Sequence, residues 1–192
     1  TAHRPVIERA LDPHRAEECI AILTKVAAWS GFRGIKIHPS FNRLPADDKR
    51  YEPVWEFAKD HDLPIVAHSW SASSYNPVQI LSTPDKFEPY VARYPSVRFV
   101  LAHSGGRGEG RLEAVRLARK YANVFMDFAG DIYCHRYFEN MEREGVLGKV
   151  MFGTDYPWID HRSHLTRVYL AGISTKAKQG ILCDTARSVF KL

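Results

Sequence analysis

Three side chains able to hold a metal stand at or near the ends of short apolar runs. His68 lies in PIVAHS (64–69), His103 in RFVLAHSGG (98–106), and Asp155 ends KVMFGTD (149–155). Imidazole and carboxylate donors together suit zinc, manganese or iron. A single histidine at such a place reads equally well as a satisfied core residue. Two imidazoles and a carboxylate, each closing its own run, read as a metal site. Lys36 and His38 in GIKIHP (34–39) are two apart, so on a strand they share one face. His38 is further along the run and is the better placed of the two to meet a substrate or to hydrogen-bond the site from outside.

Other candidates lie just past these runs. Trp70 follows His68, Arg107 follows the glycines after His103, and Trp158 follows Asp155. Arg107 could grip a substrate carboxylate with both guanidinium nitrogens, or be a solvated surface arginine. Trp70 and Trp158 read as walls of a substrate pocket. Ser69 is a further loop candidate, and Asp127 could cap a turn, orient a histidine or close a core layer. His161 and His164 read as surface residues at a helix start.

Positioning such residues requires a scaffold. The runs at 6–11, 34–39, 64–69, 98–106, 123–130 and 149–155 recur at roughly the spacing of a strand plus its crossover helix. Their near-continuous apolar character predicts parallel strands covered on both faces. Between them, Asp12 and Pro13 open one helical pattern and Gly31 stops it. DDKRYEPVWEFAKDH places Tyr51, Val54, Trp55 and Ala58 on one face, with Pro53 tolerable only in a first turn. DKFEPYVARYP, GRLEAVRLARKYA, HRYFENMEREG and STKAKQGILCDTARSVFKL supply further helices, with Leu112, Val115, Leu117 and Ala118 along one side of the second. Strands alternating with helices mean a parallel α/β fold in one domain over 1–192. An open nucleotide-binding sheet would show a glycine-rich turn after its first strand, and HSGGRGEG (103–110) follows a late one without GxGxxG spacing.

Composition narrows the setting. The net charge is +5, but acidic residues are interspersed with the basic ones. The basic residues read as solvated helix faces or, functionally, as attraction for an anionic substrate such as a carboxylate; no nucleic-acid reading motif is present. No apolar run approaches the roughly 20 residues that span a membrane. The cysteines Cys19, Cys134 and Cys183 are odd in number and contain no CxxC pair, which favours buried free thiols in a reducing cytoplasm.

The ordered set GFRGIKIHP, LPIVAHSW, VRFVLAHSGG, NVFMDFAG and MFGTDYPW, with the terminal ILCDTARSVFKL, resembles the amidohydrolase-related family of metal-dependent hydrolases. That family includes decarboxylases related to aminocarboxymuconate semialdehyde decarboxylase and lactonases acting on pyrone dicarboxylate. The resemblance implies a distorted (β/α)8 TIM barrel. It implies that His68 is a metal ligand on the fifth barrel strand, that His103 on the sixth either binds metal or acts as acid and base, and that Asp155 ends the eighth. A divalent metal, zinc foremost with manganese or iron as alternatives, would lower the pKa of its water, and Asp155 would accept the proton. Lys36 corresponds to a lysine that is carboxylated and bridges two metals in some related hydrolases; otherwise it closes the barrel floor or pairs with a carboxylate. The expected reaction is hydrolysis of an amide, ester or lactone; the alternatives are nonoxidative decarboxylation of an unsaturated or aromatic acid, and a non-catalytic barrel subunit.

One element of the pattern is missing. The family's first strand carries a His-x-His pair, and this chain has none. The order of motifs makes VIERAL the third strand, so the first one or two β/α units are lacking. The length agrees, since such barrels typically need about 250 residues. A further N-terminal segment or a homo-oligomer is therefore expected to complete the barrel.

Overall fold

The computed structural model describes residues 11–192, so VIERAL lies almost wholly outside the described residues. Asp12 accepts a hydrogen bond from the His14 N–H and opens a short 3-10 turn. Helix α1 (Ala16–Ala27) follows and buries Cys19, Leu23 and Val26. Strand β1 (Ile35–Ile37) leads into the single turn α2 (Pro39–Asn42) and then α3 (Glu52–Asp60), whose first turn holds Pro53. Next come β2 (Ile65–His68), α4 (Glu88–Arg93), β3 (Phe99–Ala102), α5 (Gly108–Lys120), β4 (Val124–Asp127), α6 (Tyr137–Arg143) and β5 (Val150–Met151). Helices α7 (His161–Leu170), α8 (Thr175–Gln179) and α9 (Thr185–Phe190) close the chain.

Every strand pairs in parallel with the next one in the chain, giving the order β1-β2-β3-β4-β5. A doubly wound sheet reverses direction at a switch point; this one does not, which is the order of a barrel wall. Side chains alternate between two faces. Ile35, Ile37, Ile65, Ala67, Phe99, Leu101, Val124, Met126 and Val150 join the main core beneath the helices. There Trp55 stacks on Tyr90 at 5.2 Å and packs on Phe99 at 5.0 Å. The opposite face carries Val66, Val100, Phe125 and Met151, which pack with Ala186, Val189 and Phe190 of α9. Lys36 is in register with Val66, so Lys36, His38 and His68 belong to this second, inner face.

Two polar side chains tie helices to strands. The Asn123 amide donates to the carbonyls of Val91, Tyr94 and Val97. The Lys149 ammonium donates to the carbonyls of Ala118 and Tyr121, both at 2.6 Å, and so caps the C-terminal end of α5. On α5 the buried face is Gly110, Ala114, Val115, Leu117 and Ala118, whereas Leu112 is exposed, contrary to the side assigned it by spacing. At about 100° per residue Leu112 lies about 60° beyond Val115, the margin of the buried stripe, and so falls outside it.

Candidate active site

The loops leaving the strand ends enclose a cavity of ≈ 270 Å³. It is lined by Lys36, His38, His68, Trp70, Gln79, His103, Gly130, Asp131, Asp155 and Trp158. Seven of the residues singled out from the sequence therefore line one space. Arg107 does not: it lines a neighbouring groove of ≈ 650 Å³.

His68 is the last residue of β2 and is 8% exposed. Its ring stacks on that of His38, with centroids 3.9 Å apart and planes at 10°. Burial, the neighbouring His38 and His103, and Lys36 together push its pKa well below the usual imidazole value, against a hydrogen bond to Gln79 that raises it. His68 is thus neutral at pH 7, the form that ligates a metal. Its Nε2 lies 2.9 Å from Gln79 Oε1.

His38 follows β1 and caps α2: the Phe41 N–H donates to its Nδ1 at 3.1 Å. A backbone N–H can only donate, so neutral His38 carries its hydrogen on Nε2 and presents a donor. His103 is set the other way. Its Nδ1 lies 3.0 Å from the Ala129 carbonyl, which can only accept. Nδ1 therefore holds the hydrogen, and Nε2 is left with a lone pair.

The backbone around His103 is built to hold that ring. His103 begins a 3-10 turn directly after β3, with φ of 62°. Its N–H donates to Asp127 Oδ1 at 2.8 Å, and the Ala129 N–H donates to the same oxygen at 2.9 Å. Asp127 thus ties the β3 and β4 loops together. Gly130, at φ 79°, packs so closely that a Cβ there would lie 2.8 Å from His103 Nδ1. Gly106, at φ 76°, sits equally close to the face of Trp70. The glycines of HSGG therefore serve close packing around a wall of the site.

Asp155 is four residues beyond the end of β5, not at its terminus. The strand stops early because Phe152 N–H pairs with the Ile181 carbonyl, outside the sheet. Asp155 is exposed, at φ 65°, and its carboxylate meets no partner among the described residues. Trp158, 84% exposed, stands at the cavity mouth. Arg107 pairs through Nη2 with the Asp131 carboxylate at 2.8 Å and with its carbonyl at 2.9 Å. Ser69 is fully buried, donates to the Ala102 carbonyl at 2.6 Å and accepts from the Gly105 N–H, so its role is structural.

Sequence reasoning overlooked Gln79, Asp131 and His164. Gln79 comes from a 3-10 turn far from any strand end and left no signal. Asp131 follows the glycine after β4, a strand-end position that could have marked it. His164, read as a surface residue, is fully buried against Phe128, and its Nε2 donates to the Gly130 carbonyl at 3.0 Å. It shares its helix face with the buried Val168 four residues on. Cys19 is buried while Cys134 and Cys183 are only half-buried, and none of the three forms a disulfide.

Imidazole and carboxylate donors are the right types for a divalent metal, and an Nε2 lone pair on His103 suits the same chemistry. Among the described residues, however, no three His, Cys, Asp or Glu side chains converge closely enough to hold one ion. The donor types fit; the cage they form is open. No helix among the described residues is long and apolar enough to cross a membrane.

Comparison with known proteins identifies the family and the fold. The sequence model of the amidohydrolase family matches residues 2–192. No curated protein matches the chain. Among solved structures, an uncharacterised TIM-barrel protein of Bordetella bronchiseptica superposes with a TM-score of 0.78 at 18% identity, over 92% of this chain and 63% of its own. The 5-carboxyvanillate decarboxylase of Sphingomonas paucimobilis gives 0.67 at 17%, over 94% and 64%. A 2,6-dihydroxybenzoate decarboxylase in complex with 2,6-dihydroxybenzoate gives 0.70 at 15%, over 93% and 68%. The chain thus has a TIM-barrel fold and spans about two thirds of the length of these structures.

Proposed function

Because this chain belongs to the amidohydrolase family, we propose that its strand-end cavity carries out metal-dependent chemistry on a small carboxylic acid, and that the reaction is nonoxidative decarboxylation of an aromatic or unsaturated acid. The observation that carries this reading is the pinned ring of His103, whose Nδ1–H is held by Ala129 and whose Nε2 serves a cavity also lined by Lys36 and His38. Decarboxylation needs a proton at one fixed atom. The bond between the acid's carbon and its carboxylate breaks, the electron pair stays on that carbon, and carbon dioxide leaves. His103, as imidazolium, supplies the replacing proton from Nε2. Lys36 and the Nε2–H of His38 supply positive charge and a donor for the carboxylate.

His68 and Asp155 would hold the metal, with His103 as a possible third donor in place of its proton-transfer role. A divalent ion bound there supplies charge that orients and polarises the acid. Zinc is the general expectation for such donors, but a related 5-carboxyvanillate decarboxylase from Novosphingobium aromaticivorans was solved with manganese, which favours manganese here. Further strands, from a longer chain or a second copy, would close the sheet beyond β1 and β5.

Hydrolysis of an amide, ester or lactone is the second reading. It is favoured by Asp155, whose unpartnered carboxylate could take a proton from attacking water. Incubating the manganese-loaded chain with 2,6-dihydroxybenzoate and with a panel of lactones separates the two. Carbon dioxide release with loss of the acid supports decarboxylation. Ring opening of a lactone without carbon dioxide release overturns it in favour of hydrolysis.

A further inference from the structure

The histidine cavity does not end at its own walls. Trp70, Gln79 and Asp131 line both it and the ≈ 650 Å³ groove beside it, so the two form an inner and an outer lobe with shared walls. Ligand sites commonly occupy about 300–1,000 Å³. The inner lobe, at ≈ 270 Å³, falls just short of that range, while the outer lobe lies well within it.

The outer lobe is built rather than incidental. Trp70 is held by its N–H, which donates to the Ser82 carbonyl, and its ring rests on the bare α-carbon of Gly106. The same ring meets His103 edge-on at 5.6 Å. Ser71 accepts from the Arg107 N–H at 2.9 Å and donates to the Arg107 carbonyl, which locks the β2 and β3 loops together. Trp70 is therefore a fixed planar surface extending from the reacting residues into the outer lobe.

The lining of the outer lobe states what it accepts. Trp70 and Tyr75 offer ring faces, and Ser73 and Asn76 offer hydroxyl and amide groups. Arg107 is the one cation among the residues lining it, and Asp131 already answers its charge. Glu109 adds a further carboxylate. A second anionic group would meet two carboxylates and one engaged guanidinium. The reading of Arg107 as a bidentate carboxylate clamp is thereby replaced.

Resting on the acid chemistry proposed above, we infer that the substrate is an elongated monocarboxylic acid. Its carboxylate reacts in the inner lobe, and a planar, uncharged, hydroxylated part lies along Trp70 in the outer lobe. Calorimetric titration of the manganese-loaded chain with three probes tests this: benzoate, 4-(4-hydroxybenzyl)benzoate and 4-(4-carboxybenzyl)benzoate. Ala72 lines the outer lobe only and is exposed, so Ala72→Trp fills that lobe without touching the histidines. The hydroxybenzyl acid is expected to bind about tenfold tighter than benzoate, the dicarboxylate to lose that gain, and Ala72→Trp to abolish the gain while benzoate binding stays unchanged. Equal binding of the short and long acids, or a gain that survives Ala72→Trp, overturns the inference and leaves the acid reading standing. Failure of all three acids to bind removes both.

Discussion

The Nδ1–H of His103 donates to the Ala129 carbonyl at 3.0 Å, across the gap between the loops of two adjacent strands. That bond fixes which nitrogen faces the cavity, and the proposed proton transfer depends on it. His103→Ala should lower turnover of the preferred acid by about 10²- to 10⁴-fold, the usual worth of a positioned acid or base. The circular dichroism spectrum should be unchanged, and steady-state kinetics would show the loss in kcat.

Gly130 tests the same bond from the other side. A Cβ at this position would lie 2.8 Å from His103 Nδ1, on a backbone at φ 79°. Gly130→Ala should destabilise the fold by about 1–3 kcal/mol and displace the ring. Denaturant unfolding combined with kinetics should show loss of both stability and kcat. A variant as active and stable as the parent would mean that the ring's placement does not matter.

Away from the site, the Glu88 carboxyl is held down at about 2 by hydrogen bonds from Arg116 and Lys120, with a further one from Tyr121. Its folded pKa lies below its unfolded value near 4.5. The stabilisation is therefore complete above pH 4.5 and is lost as pH falls from there toward 2. Glu88→Gln should cost about 1 kcal/mol at pH 7, allowing for solvent screening at this surface cluster, and cost nothing near pH 2. Urea unfolding at both pH values measures the difference.

Lys149, just before β5, ties that strand to the end of α5. Its ammonium serves two carbonyls at the end of α5 at 2.6 Å each, and burial lowers its pKa. Lys149→Met keeps the aliphatic stem but leaves those carbonyls without their donor. A loss of about 1–3 kcal/mol is expected in thermal or urea unfolding.

The barrel wall was legible because β-prone runs and helical patterns repeat at one spacing, and because His68 and His103 sit where those runs stop. That Lys36 and His38 share one face was legible from the two-residue period, but which face is the inner one needed the pairing of Lys36 with Val66. What the sequence concealed depends on long-range contact. Gln79 reaches His68 from a turn 11 residues away, and that spacing carries no periodic signature. His164 looked solvated because its polar neighbours on α7 are, yet one face of that turn is buried against Phe128. The pairing of Arg107 was hidden because its partner, Asp131, lies 24 residues further on in another loop. Asp155 lies beyond the strand it seemed to end, since β5 leaves the sheet at Phe152 to pair with Ile181.

The central claim is that His68 and Asp155 bring a divalent metal to the cavity that His103 serves. Metal content per chain, measured by mass spectrometry after manganese loading and desalting, tests it most directly. The parent should hold about one ion, and His68→Ala and Asp155→Ala should each hold almost none while remaining folded. A parent that takes up no metal, or variants that retain it in full, would contradict the account.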